Sequence, residues 1–165
     1  MSEFLSVIFT TEFGYSVLRV TTPILFATLG ALISEKAGVI NIALEGIMLI
    51  SALTGVIFSA LAGSAWFGLL MAVIFGGLVG LILGYFSLNL KTDVILAAVA
   101  LNMIASGGTI FILYLVAGDK GISSSLASQV LPKLDIPLLK SIPVLGPILS
   151  GHNALTYMAF LAVLG

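Results

Sequence analysis

Residues 23–55 read PILFATLGALISEKAGVINIALEGIMLISALTG, two apolar runs separated by a short polar connection. Glu35 and Lys36 lie in the connection, Asn41 follows it, and Glu45 already belongs to the second apolar run. An ionisable side chain in hydrocarbon costs on the order of a few kcal/mol, so it normally has a structural or functional reason. The stretch therefore predicts two membrane helices joined by a polar hinge.

The composition places the whole chain in the membrane class. Of its 165 residues 60% are hydrophobic and 8% charged, whereas a soluble domain carries about 25% charged residues. A net charge of −1 gives no basic patch for nucleic acid. There is no cysteine, and the single histidine, His152, cannot build a zinc site alone. These features predict an all-α polytopic membrane protein without a metal or other cofactor.

The apolar runs can be placed against the thickness of a bilayer, which takes about 20 residues of helix to cross. Residues 4–15 are too short and too polar to span, and they predict an interfacial helix. Four spans are predicted at about 16–34, 41–61, 65–88 and 93–117, with Gly38 ending the first and Asn41 capping the second. A long loop at 118–150 holds four of the five prolines, and a fifth apolar run begins near 154. Because that run stops at residue 165, we expect the N-terminal portion of a longer protein.

Small residues recur every fourth position along the third and second spans. The longer series comprises Ser64, Gly68, Ala72, Gly76, Gly80 and Gly84. The shorter series comprises Ser51, Gly55, Ser59 and Gly63. Spacing of four places each series on one helix face, where missing side chains let another backbone approach closely. The two series predict tight packing of these helices on each other or on neighbours.

Polar residues inside the spans are the candidates for a transport path. Asn102, Ser106 and Thr109 form one stripe on the fourth span. The stripe could serve hydrogen bonding between helices or could line a water-filled path. Glu45 also has two interpretations, as a carboxylate favoured by the positive end of a helix or as part of a discontinuous helix that gates movement. Asn41, Glu45, Asn102 and Ser106 are the predicted path or gate residues.

No catalytic grouping is found in the sequence. Asp93, Asp119 and Asp135 are far apart along the chain, and His152 has no serine nucleophile motif beside it. The GxxxxGK[ST] phosphate loop is also missing, so any ATP hydrolysis is expected on a different polypeptide.

Four motifs, in order, resemble one family. TPILFATLGALISEKAGVINIALEGIML (22–49) is similar to the TP-L-L-A-LG-L-SE-(R/K)-AGV-NI-LEG-M-L signature of permease subunits in ABC importers for nucleosides and simple sugars. TDVILAAVALNMIASGGTIFI (92–112) resembles the family segment around an L-N-x-x-A-S-G core. IPLLKSIPVLGPIL (136–149) resembles the external loop, and ALTYMAFLAVLG (154–165) the start of the next helix.

The resemblance implies a type II ABC importer-like transmembrane domain in the cell membrane. A second homologous permease subunit would complete the path for a small-molecule substrate, cytoplasmic ATPase subunits would supply energy, and an external binding protein, often a lipoprotein, would deliver substrate. The family places the Pro-rich loop outside, which implies an external N-terminus although the count of basic residues favours the reverse. The family's ATPase-docking loop lies beyond residue 165, so this stretch alone is not expected to transport.

Two other functions are compatible with the sequence. A secondary transporter or channel subunit would move its substrate without any ATPase partner. An inactive, truncated membrane scaffold would move none.

Overall fold

The computed structural model describes residues 10–118, 122–133 and 150–164. These residues form helices and irregular segments without a strand, which confirms the all-α class. The helices are α1 (Thr11–Lys36), α2 (Leu44–Ala62), α3 (Ala65–Leu88), α4 (Val94–Ala117) and α5 (Ala154–Leu164). The first four are long and apolar enough to cross a membrane. Large apolar side chains such as Leu81 and Met103 are more than two-thirds exposed, so lipid or another protein must cover them.

The described residues form two compact units. One contains residues 10–33, 131–133 and 150–164, and the other contains residues 34–118 and 122–130. In the second unit α2 packs extensively on α3 and also contacts α4. Gly63 ends α2 in the left-handed region at φ 61°, and α3 begins two residues later. Asp93 caps α4, because its Oδ1 accepts from the amides of Ile95 at 2.8 Å and Leu96 at 3.2 Å.

Helix α1 ends at a glycine, as the sequence predicts. Gly38 has φ 86°, and its amide donates to the Glu35 carbonyl at 2.9 Å. The Val39 amide donates to the Ser34 carbonyl at 3.1 Å. This pair of bonds is the Schellman motif, in which a glycine in the left-handed region satisfies the last carbonyls of a helix. Because α1 includes Glu35 and Lys36, the polar connection between α1 and α2 consists of residues 37–43 in the structure.

The start of α1 differs from the expectation. A separate interfacial segment was expected at 4–15, but α1 already begins at Thr11; residues 4–9 lie outside the described residues. Thr10 Oγ1 accepts from the Phe13 amide at 3.3 Å, and Glu12 occupies the first turn. The polar residues there cap the helix and complement its positive end instead of interrupting it.

The first unit is held by contacts between α1 and the α5 region. The rings of Tyr15 and His152 stack at 4.1 Å between centroids and 9° between planes, and the Tyr15 hydroxyl donates to the Gly151 carbonyl at 2.9 Å. The Thr22 hydroxyl donates a hydrogen bond to the Thr156 hydroxyl at 3.1 Å. His152 is 2% exposed, and its ring lies between those of Tyr15 and Tyr157.

The described part of the long loop is tied to the second unit. The Ser59 hydroxyl accepts a hydrogen bond from the backbone amide of Gln129 at 3.0 Å and donates one to the backbone carbonyl of Gln129 at 3.3 Å. Ser125 Oγ donates to the Ala117 carbonyl at 2.8 Å. Residues 122–130 are therefore ordered against α2 and α4, while residues 134–149 of the expected Pro-rich loop lie outside the described residues.

Candidate functional site

The start of α2 lies three residues later than the sequence predicts. The prediction of Asn41 as its N-cap is wrong, because the helix begins at Leu44 and Ala43 holds the N-cap position without a side-chain bond. Asn41 Oδ1 is buried and has no hydrogen-bond partner. A buried acceptor without a partner costs about 1–3 kcal/mol, so Asn41 Oδ1 is a group that another arrangement of this segment or a guest in the adjoining cavity could satisfy.

Asn102, in the middle of α4, supplies the missing cap from another helix. Its Oδ1 accepts from the Gly46 amide at 2.8 Å, and its Nδ2 donates to the Ile42 carbonyl at 2.9 Å. Gly46 is the third residue of α2, where an N-cap side chain normally binds. Asn102 thus ties one residue before the start of α2 and one residue within its first turn to α4, through both the oxygen and the nitrogen of its side-chain amide.

The approach of α2 to α4 at this point requires a glycine. A Cβ on Gly46 would lie 2.8 Å from Asn102 Oδ1, 3.2 Å from Asn102 Cα and 3.3 Å from Ala105 Cβ. Ala98 and Ala105 are fully or almost fully buried on α4. Small residues on both helices therefore bring the Asn102 amide within reach of the α2 backbone.

A cavity of about 200 Å³ adjoins the polar connection. Its polar lining comes from Ser34, Asn41 and Ser87, and Gly80 and Gly84 of α3 form part of its wall. The remaining lining is apolar, and no charged side chain contributes to it. The cavity can therefore offer a guest neutral hydrogen-bonding groups and apolar surface.

The side chains of the other predicted path residues take no part in this bridge. Glu45 is exposed in the first turn of α2, where the positive helix end favours a carboxylate. Ser106 is exposed one turn beyond Asn102. Thr109 Oγ1 donates to the Ala105 carbonyl of its own helix at 2.7 Å. Of the polar residues predicted for the path, the structure brings Asn41 and Asn102 to the same helix start and leaves Ser106 outside it.

The two series of small residues meet along only part of their length. A Cβ on Gly68 would lie 2.6 Å from both the Gly55 carbonyl oxygen and Ser59 Cβ, and one on Gly55 would lie 3.3 Å from Ala72 Cβ. Gly76 lies against the Ser51 hydroxyl. A Cβ on Gly80 or Gly84 would meet no atom within 4 Å. Among the described residues nothing packs at these last two positions, and both glycines line the cavity instead.

Sequence reasoning missed the residues that receive Asn102. Gly46, Ala98 and Ala105 were not singled out, and neither was the carbonyl of Ile42. Ala98, Asn102 and Ala105 are spaced i, i+4 and i+7, which places them on one face of α4. That spacing could have identified the face of α4 that contacts α2. Within the described residues no group of three His, Cys, Asp or Glu side chains could hold a metal ion.

Comparison with known proteins decides the family. A family model described as the permease component of the branched-chain amino acid transport system matches residues 15–164. The chain belongs to this permease family. Within the described residues, the match takes in α1 from Tyr15 onward and the whole of α2, α3, α4 and α5. The four apolar helices and this membership make it a membrane protein.

Three relatives are named as ABC transporter permeases with a stated substrate. The chain is 34% identical over 147 residues to the guanosine ABC transporter permease NupQ of Bacillus subtilis, covering 86% of this chain and 45% of the relative. It is 30% identical over 157 residues to the nucleoside ABC transporter permease NupC of Lactococcus lactis, covering 90% and 47%. It is 30% identical over 150 residues to a putative glucose ABC transporter permease of Haloferax volcanii, covering 88% and 44%.

The chain spans about half the length of these curated relatives. No solved structure matches it.

Proposed function

We propose that the chain is part of the permease subunit of an ATP-binding cassette importer, and that it forms part of the path for a nucleoside or simple sugar. A second permease subunit completes the path. ATP hydrolysis takes place on separate cytoplasmic ATPase subunits, and an external binding protein delivers the substrate. The N-terminus lies outside the cell, and α2 begins at the cytoplasmic end of its span.

The observation that carries this proposal is the start of α2, where backbone groups are bound by Asn102 of α4, beside a neutral cavity. Transporters commonly bind and gate their substrates at discontinuous helices, because the exposed backbone groups there can contact a substrate. The Ile42–Gly46 segment is the start of α2 after the connection from α1, and its Ile42 carbonyl and Gly46 amide bind the Asn102 side chain instead of each other. We assign Asn41 and Asn102 to the path or its gate, with Glu45 and Ser106 at its margins.

The lining of the cavity supports an uncharged substrate. A branched-chain amino acid carries a carboxylate and an ammonium group, and burial of either is costly without a partner of opposite charge. The described cavity lining offers only serine and asparagine side chains as polar groups. A nucleoside or sugar presents hydroxyl and ring nitrogen groups that such side chains can bind. The substrates in the names of the guanosine, nucleoside and glucose permeases agree with this choice.

Uptake in membrane vesicles tests the proposal. The importer is assembled from the protein that carries this chain, its ATPase and its binding protein, and labelled guanosine, glucose and leucine are compared. We expect ATP-dependent uptake of guanosine or glucose that stops when the binding protein is left out. Uptake that persists with an ATPase unable to hydrolyse ATP would contradict the importer function. Uptake of leucine alone would contradict the substrate class.

A further inference from the structure

The two backbone groups that Asn102 binds would bind each other in an uninterrupted helix. Ile42 and Gly46 are four residues apart, and an α-helix pairs the carbonyl of residue i with the amide of residue i+4. Asn102 occupies that position instead, with its Nδ2 on the Ile42 carbonyl and its Oδ1 on the Gly46 amide. A side chain inserted into the ladder of helical bonds is a recognised cause of a break in a helix.

We propose that Asn102 is a positioning residue that holds α2 broken before Leu44. When Asn102 withdraws, the Ile42 carbonyl binds the Gly46 amide and α2 winds back to Asn41. The start of α2 thus has two states, one capped by Asn102 from α4 and one capped by Asn41 from its own chain.

The backbone before α2 is already close to the wound state. Ala43 has φ −77° and ψ 0°, and an α-helical residue has φ of about −63° and ψ of about −42°. Ile42 and Ala43 lie in a turn that leads directly into α2. Closing the Ile42–Gly46 bond therefore needs a rotation of about 40° in ψ at Ala43.

The buried acceptor on Asn41 gives independent support for the second state. Asn41 Oδ1 is without a partner while Asn102 is inserted. If α2 began at Ile42, Asn41 would hold the N-cap position, and its Oδ1 could accept from the Ala43 or Leu44 amide. Asparagine is among the residues most favoured at that position. In the observed state the Asn102 side chain is hydrogen-bonded and Asn41 Oδ1 is not. In the second state Asn41 Oδ1 would be bonded instead.

The winding changes the connection that borders the cavity. Residues in a helix advance about 1.5 Å each, compared with about 3.3 Å in extended chain. Winding back to Asn41 would shorten the connection and turn Asn41 away from its present place in the cavity lining. A role for this change in transport rests on the proposed function, whereas the two states of α2 do not depend on it.

Two labelled peptide bonds report the two states directly. The pair Asn41–Ile42 is the one Asn-Ile pair in the sequence, and Glu45–Gly46 the one Glu-Gly pair. Labelling the carbonyl carbon of the first residue and the amide nitrogen of the second gives one NMR signal for each pair. The chain of residues 1–165 in lipid, in which both pairs are unique, is compared with Asn102→Leu and with the control Asn89→Leu. Asn89 is exposed at the end of α3, so the control makes the same chemical change at an exposed side chain.

We expect Asn102→Leu to move the Asn41 carbonyl signal toward its helical position while hydrogen exchange at Gly46 stays slow. Asn89→Leu should leave both signals unchanged. Exchange at Gly46 that becomes about tenfold faster or more would show that Asn102 is only a cap, and would overturn the inference. An unmoved Asn41 signal would overturn it as well. If Asn102→Leu fails to fold, Gly46→Ala expels the Asn102 amide by contact and should move the Asn41 signal in the same direction.

An uptake measurement separates this inference from the proposed function. In the assembled importer Asn102→Leu should lower guanosine or glucose uptake about tenfold or more, while Asn89→Leu retains it. If no version of the importer, including the unmodified one, takes up either substrate, the proposed function fails and the NMR result still decides the helix states. If the NMR signals move but uptake is unaffected, the two states exist and their role in transport is refuted.

Discussion

Helix α2 is held to its two neighbours in opposite ways. Against α3 it packs through missing side chains, with Gly68 of α3 lying over Gly55 and Ser59 of α2. Against α4 it is held at its start by one polar side chain, because both groups of the Asn102 amide bind the α2 backbone. The first contact is close packing alone, whereas the second adds two directional hydrogen bonds to the packing of Gly46 against Ala105.

The difference indicates which contact can change during a functional cycle. Close packing of glycines in lipid depends on many small van der Waals contacts, which are lost together when the helices separate. A hydrogen bond between membrane helices contributes about 0.6 kcal/mol on average and seldom more than about 1.7 kcal/mol. The α2–α3 contact therefore behaves as a fixed frame, and the α2–α4 contact can be exchanged for another hydrogen bond at low cost.

Substitution of Gly68 by alanine should have the largest effect. The new Cβ would lie 2.6 Å from the Gly55 carbonyl oxygen, and a backbone atom cannot move aside without shifting the helix. We expect Gly68→Ala to lower the free energy of unfolding by roughly 3 kcal/mol. Unfolding in detergent mixtures measures it. Stability equal to that of the unmodified protein would show that α2 and α3 are not fixed to each other here.

Substitution of Gly46 by alanine should have an intermediate effect. Its Cβ would lie 2.8 Å from the Asn102 side-chain oxygen, which can move away, and 3.2 Å from Asn102 Cα and 3.3 Å from Ala105 Cβ, which need a shift of only a few tenths of an ångström. We expect a loss of about 1 kcal/mol in the free energy of unfolding, because the Ile42 carbonyl replaces Asn102 as the acceptor. The same unfolding experiment applies. A loss as large as that of Gly68→Ala would remove the distinction between the two contacts.

Substitution of Gly80 by alanine should have the smallest effect. No atom of the chain lies within 4 Å of the Cβ position, and alanine favours a helix over glycine by up to about 1 kcal/mol. Gly80→Ala should therefore leave the stability of the chain unchanged or slightly raised. Measured destabilisation in the isolated chain would mean that the series packs further along α3 than the structure shows. Destabilisation in the assembled importer alone would place another subunit against this face.

The helical architecture could be read from the sequence because lipid imposes it. Apolar runs such as 65–88 must become helices in order to satisfy their backbone groups in hydrocarbon, and α3 occupies Ala65–Leu88. Local signals also predict the ends: Gly38 ends α1 through its left-handed backbone conformation.

The start of α2 could not be read in this way. Asn41 is a favourable local cap, but a side chain from α4, 61 positions later in the sequence, takes the groups that a helix starting there would pair. Nothing in the local sequence of α2 reveals that contact, since it depends on the close approach of Gly46 to Ala105. The same reason applies at Gly80 and Gly84. Their regular spacing predicts packing, but no neighbouring atom lies within 4 Å of either Cβ position, and both residues line a cavity.

The distance between the Gly46 amide nitrogen and the side-chain carbonyl carbon of Asn102 tests the account most directly. Dipolar recoupling in solid-state NMR measures it in lipid, with Gly46 selected through its unique Glu45–Gly46 pair. A nitrogen–oxygen distance of 2.8 Å and a carbonyl bond of about 1.2 Å limit it to about 4 Å. The account predicts strong coupling that disappears in Asn102→Leu and persists in Asn89→Leu. No coupling in the unmodified protein, or coupling that survives Asn102→Leu, would contradict it.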